Sequence, residues 1–345
     1  MLLYRKWVAN LDEKGFQKHE AIKKVKEFTW GLEELGAEEP VANPLDFLFS
    51  YNTSNIAHSK SYFIPPKIPF GDFQIVKESL CFPSSITTRY KENNTAVFHY
   101  YPVKNSRGVI VVIPHWNAEG EKYDRIAQKL NKLKYSTIRM VLPFHAERGD
   151  GTRESSTRMV SANIGLTLLA MQQSVRDVLS CVDWLDSSEH KNIGIFSSSI
   201  GSCVGFLAAA HDSRISSFFA NHMSSYFGDV VWTGVSTQHI KKSLENRITS
   251  EDLRKCWALN SPQFFVSQLV LNNKNLKFFI MAGKYDSTFE LGLTLKIFDE
   301  LDKFGFHYRK MVLPCGHYSL GNYWFKYIDA FQLGKFFIKT LRSHS

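Results

Sequence analysis

Three serines stand at the centre of the stretch Asn192-Ile-Gly-Ile-Phe-Ser-Ser-Ser-Ile-Gly-Ser-Cys-Val-Gly205. The residues before them form an apolar run typical of a buried strand, and the residues after them favour a helix. Ser197-x-Ser199-x-Gly201 at this junction is a variant of the G-x-S-x-G nucleophile elbow, in which small flanking residues permit a very sharp turn. Ser197 replaces the usual first glycine. The alternative interpretation is a serine-rich helix cap.

In an elbow of this kind the Ser199 hydroxyl projects from the edge of the sheet. The backbone N–H of Ile200 points into the same space and is predicted to supply half of an oxyanion hole. A nucleophilic serine also needs a histidine base and an acid that fixes the histidine tautomer. These requirements predict two further residues later in the chain.

Two loops provide them in the chain order Ser, acid, His that this elbow requires. Asp286 follows the apolar run 277–282 and a tight turn, and His317 follows the run 307–313. Because both loops leave the carboxyl ends of predicted strands, they meet at the edge where α/β folds place their sites. The predicted catalytic residues are therefore Ser199, Asp286 and His317, with Glu290 as the reserve acid.

Outward from this stretch, short β-branched runs alternate with segments of helical period, which predicts a mostly parallel sheet with helices on both faces. The predicted strands are Val109–Pro114, Thr137–Leu142, Asn192–Ser198, Ile215–Asn221, Lys277–Ala282 and His307–Leu313. The predicted helices are Glu121–Leu133, Ser161–Leu185, Ile200–His211, Glu290–Phe304 and Tyr323–Leu341. The runs 73–86 and 96–101 predict antiparallel edge strands.

Two regions interrupt this alternation and predict the domain organisation. Residues 1–70 are expected to form an N-terminal extension, with an amphipathic helix over Leu11–Leu35 and an irregular linker over Asn43–Pro69. Residues 71–345 are expected to form the main domain. The segment Met223–Ser261 is predicted to be a cap inserted over the site, since it has the composition of a mobile covering element.

Loops after the first two parallel strands supply further candidates. A backbone N–H of the loop that begins at His115 is expected to complete the oxyanion hole, with Asn117 favoured and Trp116 second. The predicted pocket residues are His115, His145 and Arg148 of these loops, together with Tyr226 and Trp232 of the predicted cap. His115 is interpreted as orienting its loop, and Arg148 could equally pair with Glu147 or Asp150.

Composition excludes several classes of protein. Hydrophobic residues make up 44% of the 345 residues, which is enough for a large core. The net charge of +9 is spread along the chain, and the lysine-rich stretch 18–26 reads as a solvated helix face, so no nucleic-acid partner is predicted. Five cysteines without a CxxC pair favour a reducing, cytoplasmic setting. No HExxH or glycine-rich nucleotide motif occurs, so neither metal nor cofactor is expected.

The stretches Pro114-His-Trp-Asn-Ala, Leu142-Pro-Phe-His, Ser161-Ala-Asn-Ile-Gly, Asp229-Val-Val-Trp and Leu313-Pro-Cys-Gly-His-Tyr join the elbow in carrying a resemblance. The chain resembles the α/β-hydrolase superfamily, and most closely a bacterial family related to abhydrolase domain-containing protein 18. The resemblance implies the fold and the triad without naming a substrate.

The preferred functional hypothesis is a serine hydrolase acting on a small or lipid-like carboxylic ester. An acyltransferase on the same triad and a non-catalytic binding protein of the same fold are the alternatives. Weak contact with a membrane surface is a further possibility, motivated by the predicted N-terminal helix and the basic charge. No transmembrane segment is predicted, and the sequence leaves the oligomeric state open.

Overall fold

The computed structural model describes residues 2–17, 23–38, 40–118 and 120–341. Nine strands form one sheet in the order β1-β2-β3-β5-β4-β6-β7-β8-β9. The strands are β1 Gln74–Val76, β2 Ser79–Pro83, β3 Thr95–Tyr101, β4 Val109–Ile113, β5 Ser136–Met140, β6 Ile193–Ser198, β7 Ile215–Asn221, β8 Lys277–Gly283 and β9 Tyr308–Leu313.

The six strands from β4 to β9 pair in parallel, whereas β1, β2 and β3 pair antiparallel and join the sheet at β5. This confirms the predicted parallel sheet with antiparallel edge strands. Every strand expected beyond residue 90 is present to within two residues at each end. The site-bearing loops therefore leave the same edge of the sheet.

Twelve α-helices are described. They are α1 Leu2–Gln17, α2 Pro44–Ala57, α3 Ser59–Phe63, α4 Gly120–Lys132, α5 Ile164–Ser187, α6 Ile200–His211, α7 Phe227–Thr233, α8 Gln238–Leu244, α9 Ser250–Cys256, α10 Val266–Asn273, α11 Leu291–Lys303 and α12 Phe325–Thr340.

The helices cover both faces of the sheet, as the alternating side chains of β4 show. Val109, Val111 and Ile113 belong to the larger core, which includes residues of α5, α6, α10 and α11. Ile110 and Val112 point the other way, into a smaller core with α4 and α12. Both faces of the strand are buried because residues along a strand alternate between faces.

The N-terminal region differs from its prediction. The expected helix over Leu11–Leu35 is wrong, because α1 is described over Leu2–Gln17 and residues 23–31 are not helical. Thr29 instead forms a parallel bridge with Asn163, and Gly31 adopts a positive φ of 62° before a short 3₁₀ turn. Residues 18–22, at the centre of the predicted helix and of the lysine-rich stretch, lie outside the described residues.

The expected irregular linker over Asn43–Pro69 is also wrong, because most of it is helical. The Asn43 side chain accepts a hydrogen bond from the Asp46 N–H, and Pro44 occupies the first helical position, where its missing donor costs nothing. The Asn52 amide joins α2 to the 223–261 segment by donating to the Cys256 carbonyl and accepting from the Leu259 N–H. A proline at this position therefore starts a helix and does not prevent one.

Candidate active site

Ser199 occupies a strained turn between β6 and α6. Its φ of 57° and ψ of −122° are rarely adopted by any residue other than glycine, and such strain persists only where the surroundings fix it. The Ser199 N–H donates to the Asn221 carbonyl at the end of β7. A Cβ on Gly201 would lie 2.5 Å from the Ile113 carbonyl oxygen, so this position requires glycine. The backbone therefore has the geometry expected of an elbow.

Ser197 fits the elbow in place of glycine. Its side chain is fully buried, and its hydroxyl donates to the Ser202 hydroxyl at 3.2 Å. The Ser202 hydroxyl donates in turn to the Asn221 carbonyl at 2.9 Å. Each polar group thus has a partner, which removes the penalty for burying a hydroxyl.

Asp286 and His317 contact each other at the same sheet edge. The Nδ1 of His317 lies 3.0 Å from Oδ2 of Asp286, while the backbone N–H groups of Thr288 and Phe289 donate to Oδ1. Burial alone would raise the pKa of Asp286, but the neighbouring His317 and His222 outweigh it and hold this pKa below its ordinary range. Asp286 is therefore a carboxylate at neutral pH. Glu290 is exposed at the start of α11.

His222, a residue that the sequence reasoning missed, also contacts this carboxylate. Its Nδ1 lies 2.7 Å from Oδ2 of Asp286, in a direction outside good hydrogen-bond geometry, and its ring centroid lies 4.4 Å from that of His317. Burial, reinforced by the charge of His317, lowers the pKa of His222. His222 directly follows β7, so the rule that located Asp286 and His317 could have found it.

The grouping of His222, Asp286 and His317 brings three potential metal-ligating atoms within 4.8 Å of one another. The two N–O separations are 2.7 and 3.0 Å. Two ligands of a tetrahedral zinc ion at bond lengths near 2.0–2.1 Å lie about 3.3 Å apart. The spacing therefore fits histidines in direct contact with a carboxylate better than ligands around an ion.

Ser199 and His317 line one small cavity of about 40 Å³ together with His115, Trp116 and Asn117. Among the described residues no hydrogen bond joins the two side chains. Catalytic hydrogen bonds often tighten only when substrate is bound. At this volume the cavity has room for only a few water molecules. Lys23, Ser236 and Tyr318 complete its lining.

A larger cavity of about 610 Å³ adjoins the other side of His317, between α4 and α12. Its walls include the apolar side chains of Ile126, Leu130 and Leu333. Four basic residues also line it, namely Lys122, Arg125, Lys129 and Lys326. Asp329 is the acidic residue of this lining, and burial raises its pKa to about 6 against the opposing effects of Asn221 and Lys122.

The loop after β4 bears the predicted oxyanion donors. The N–H of Asn117 donates to Nε2 of His145 at 3.0 Å, so the favoured donor is already engaged. The Trp116 indole donates to the Ser156 carbonyl and anchors the loop. The backbone N–H and Nδ1 of His115 both contact the Tyr123 hydroxyl, at 3.1 and 2.6 Å. This supports the interpretation of His115 as a loop-orienting residue.

Two predicted pocket residues turn inward, which corrects their assignment. His145 is buried, its Nδ1 lies 2.8 Å from the Pro143 carbonyl oxygen, and burial lowers its pKa to about 4. Arg148 is fully buried and pairs with Asp177 at 2.9 Å. Neither Glu147 nor Asp150 is its partner. Both side chains hold loops together and do not reach either cavity.

The two predicted aromatic pocket residues, Tyr226 and Trp232, also lie away from both cavities. The Tyr226 ring contacts Phe264 and the cation of Arg254. Trp232 packs half-buried against the larger core, with the Lys241 ammonium 5.6 Å from its ring centroid. Of the 223–261 segment, Ser236 reaches the cavity at Ser199.

Solved structures of several enzymes share this architecture. An esterase from Pyrococcus furiosus superposes with a TM-score of 0.54 at 14% sequence identity, over 81% of this chain and 98% of that one. An acylaminoacyl peptidase from Pyrococcus horikoshii superposes with a TM-score of 0.53 at 16% sequence identity, over 73% of this chain. A puromycin-hydrolysing peptidase from Mycobacterium tuberculosis superposes with a TM-score of 0.55 at 10% sequence identity, over 72% of this chain. This chain has the α/β-hydrolase fold.

The likeness to these hydrolases extends to the fold alone at such low identities. The chain covers 40% of the acylaminoacyl peptidase and 37% of the puromycin-hydrolysing peptidase. By sequence, neither a family model nor a curated protein matches it. Among the described helices, none combines the length and apolar composition needed to cross a bilayer.

Proposed function

We propose that this protein is a serine hydrolase that cleaves carboxylic esters through an acyl-enzyme. Ser199 is the nucleophile, His317 the base and Asp286 the acid that orients the base. One observation carries the proposal: a serine in a strained elbow lines the same cavity as a histidine that contacts a buried carboxylate. The esterase, lipase and peptidases of the same fold support a hydrolytic reaction.

The reaction begins when Nε2 of His317 takes the hydroxyl proton of Ser199 and the oxygen attacks the ester carbonyl carbon. Collapse of the tetrahedral adduct breaks the bond to the alcohol oxygen, which leaves with the proton from His317. Water then repeats these steps on the acyl-enzyme and releases the acid. Asp286 stays ionised and stabilises the imidazolium at each stage. No cofactor takes part in this route.

The oxyanion of the adduct needs two N–H donors. Ile200 begins α6, so its N–H has no acceptor within the helix and is the first donor. Because the Asn117 N–H already donates to His145, Trp116 becomes the preferred second donor in the loop that lines the cavity. His145 then acts indirectly, by fixing that loop.

The proposed substrate is a small or lipid-like ester. The apolar walls of the larger cavity beside His317 favour such a group. The 223–261 segment is proposed as the cap over the site, since Ser236 lies at the Ser199 cavity and the Val235 N–H donates to the Ser287 carbonyl. We also propose a reducing cytoplasmic setting, supported by five cysteines that are all free thiols.

Labelling with a fluorophosphonate tests the nucleophile. We expect the wild-type protein to form one adduct at Ser199 and to hydrolyse short p-nitrophenyl esters. Ser199→Ala should lose the adduct and at least about 10³-fold in kcat/KM, because no other group replaces the nucleophile. Ser216→Ala is the matched control, because Ser216 lies at the start of β7 and Ser199 contacts the other end of that strand. This variant should retain the adduct and the activity. An adduct mapped to another serine would contradict the assignment.

A further inference from the structure

The loop that carries His317 is held by a carboxylate from the other end of the chain. Asp12 lies on α1 and is only 3% exposed. Its Oδ2 accepts a hydrogen bond from the His317 N–H at 2.7 Å, and its Oδ1 accepts from the N–H groups of Tyr318 and Ser319 at 3.0 and 3.2 Å. Three consecutive backbone donors therefore converge on one side chain.

The same carboxylate also reaches the loop of the proposed acid. The Ser287 hydroxyl, one residue after Asp286, donates to Oδ2 of Asp12 at 3.4 Å. Asp12 thus links the loop of His317 to the loop of Asp286. The contact between His317 and Asp286 depends on the relative position of these two loops, and Asp12 fixes that position.

Gly316 shows how closely the carboxylate approaches. A Cβ at this position would overlap the carboxylate oxygens of Asp12, so only glycine leaves the necessary space. The Gly316 N–H donates to the Ser319 hydroxyl at 2.7 Å, which closes the loop on itself around the carboxylate. The backbone of the loop and the side chain of Asp12 are therefore complementary in shape.

Other residues of α1 also contact the loop that carries His317. The Tyr4 hydroxyl donates to the Pro314 carbonyl at 2.6 Å, and the Tyr4 ring lies 6.0 Å from that of Tyr285. Gly15 packs against the Tyr318 ring closely enough that a Cβ there would lie 2.5 Å from it. The helix is thus fixed to the catalytic loop near both of its ends as well as at Asp12.

We propose that Asp12 is a positioning residue that holds His317 in register with Ser199 and Asp286. This inference rests on the proposed function. Without the carboxylate, three N–H groups of a partly buried loop lose their acceptor, and such groups are costly to leave unpaired. The loop then shifts to satisfy them, and the imidazole moves with it. Displacement of a catalytic group by about 1 Å lowers rates by about 100-fold.

The rate of fluorophosphonate labelling at Ser199 tests this inference. We expect Asp12→Asn to lower the labelling rate constant about 10- to 100-fold, because the amide presents N–H groups to backbone donors. Glu13→Gln is the matched control, since it removes an exposed negative charge from the adjacent position of α1 and should leave the rate unchanged. Asp12→Glu keeps the charge and should recover part of the rate.

A double variant separates positioning from general damage to the fold. If Asp12 acts through His317, Asp12→Asn should cause less than a twofold further loss in a His317→Ala background. Loss of the full 10- to 100-fold in that background would overturn the proposal, as would equal labelling rates of wild type and Asp12→Asn. A wild-type protein that is not labelled at Ser199 refutes the proposed function itself, and with it this inference.

Hydrogen exchange tests the same proposal in the wild-type protein, so the result does not depend on whether a variant folds. The backbone amides of His317, Tyr318 and Ser319 should exchange at least 100-fold more slowly than unprotected amides of the same sequence, because Asp12 accepts from all three. The amide of Asn322 donates to the Ser319 carbonyl and is an internal reference for the loop. Rapid exchange at residues 317–319 with a protected Asn322 would overturn the proposal.

Discussion

Two histidines contact Asp286, and only one of them is placed to act as the base. His317 lines the cavity at Ser199, whereas His222 does not. The His317 ring is also stacked on Phe289, with centroids 5.4 Å apart and planes 11° from parallel. His222 is buried behind it and shares the carboxylate. His222 lines the larger cavity and not the one at Ser199, so we infer that it supports the charge and orientation of Asp286 without taking the serine proton.

This difference predicts unequal effects of removing each histidine. His317→Ala should lower kcat/KM by about 10³-fold or more, since no base remains to take the serine proton. His222→Ala should cost about 10-fold. The measurement is steady-state hydrolysis of a p-nitrophenyl ester across pH 5 to 9. Similar losses in both variants would contradict the assignment of the base.

The pH dependence of the same assay provides a second check. The base accepts a proton only when neutral, so wild-type kcat/KM should rise with pH along its acid limb and then level off. Because the pKa of Asp286 is held below its ordinary range, this carboxylate should not titrate in the window. Residual activity of His317→Ala should lose that limb.

Among the elements, the 223–261 segment combines two different roles. Trp257 is fully buried, and its indole donates to the Ile164 carbonyl at the start of α5. Trp232 lies half-buried on α7 near the surface. One tryptophan therefore fastens the segment to the main core, and the other packs near the surface, away from both cavities.

Replacing each tryptophan by alanine should separate these roles. Trp257→Ala is expected to lower the free energy of unfolding by about 3–5 kcal/mol, because it leaves a large cavity in the core. Trp232→Ala should cost less than about 2 kcal/mol and leave the preference for acyl-chain length unchanged, because the side chain lies away from both cavities. Urea unfolding and a series of esters measure the two effects. A shift in chain-length preference in Trp232→Ala would instead show that this side chain meets the substrate.

The sequence predicted those elements whose signals are local. Strand and helix periodicity placed the parallel sheet, and the position of each loop after a strand brought Asp286 and His317 together. It could not show that Arg148 points inward, because its partner Asp177 lies on α5, far from the loop that carries the arginine. Asp12 gave no signal at all, since its role exists only once α1 meets the His317 loop. The triad itself remains a prediction until Ser199 is labelled.

At the scale of the whole molecule, the buried ion pair between Arg148 and Asp177 ties three parts of the fold together. Arg148 belongs to the loop after β5 and donates to the carbonyls of Val141 and Asn93. Asp177 accepts from the Ser84 hydroxyl just after β2. Burial raises the pKa of Asp177 against the opposing charge of Arg148, so the arginine offsets a substantial desolvation cost.

Removing one partner should therefore destabilise the protein strongly. Arg148→Met is expected to cost about 3–5 kcal/mol, since it leaves an unpaired buried carboxylate. Without the arginine, the pKa of Asp177 in the folded state rises further, so Asp177 binds a proton on folding. The loss of stability should therefore be larger at pH 8 than at pH 5. Arg158→Met, which breaks an exposed pair with Asp150, is the control and should cost much less than Arg148→Met.

Equal losses for Arg148→Met at the two pH values would show that Asp177 is not left as a buried charge. The double replacement Arg148→Met with Asp177→Leu should recover part of the stability, because two apolar side chains of similar size remove both charges. Urea unfolding monitored by circular dichroism measures each free energy. The recovered fraction reports how much of the loss comes from the unpaired carboxylate.

The contact between Asp12 and His317 spans 305 residues and so orders events during synthesis. A ribosome adds about 5–20 residues per second, so about 15–60 s separate the translation of these two residues. The helix α1 is therefore made well before the loop it holds, and in the later part of that interval Ser199 is translated while its proposed base is not. The proposed nucleophile can therefore become competent only after the loop at residue 317 has been made.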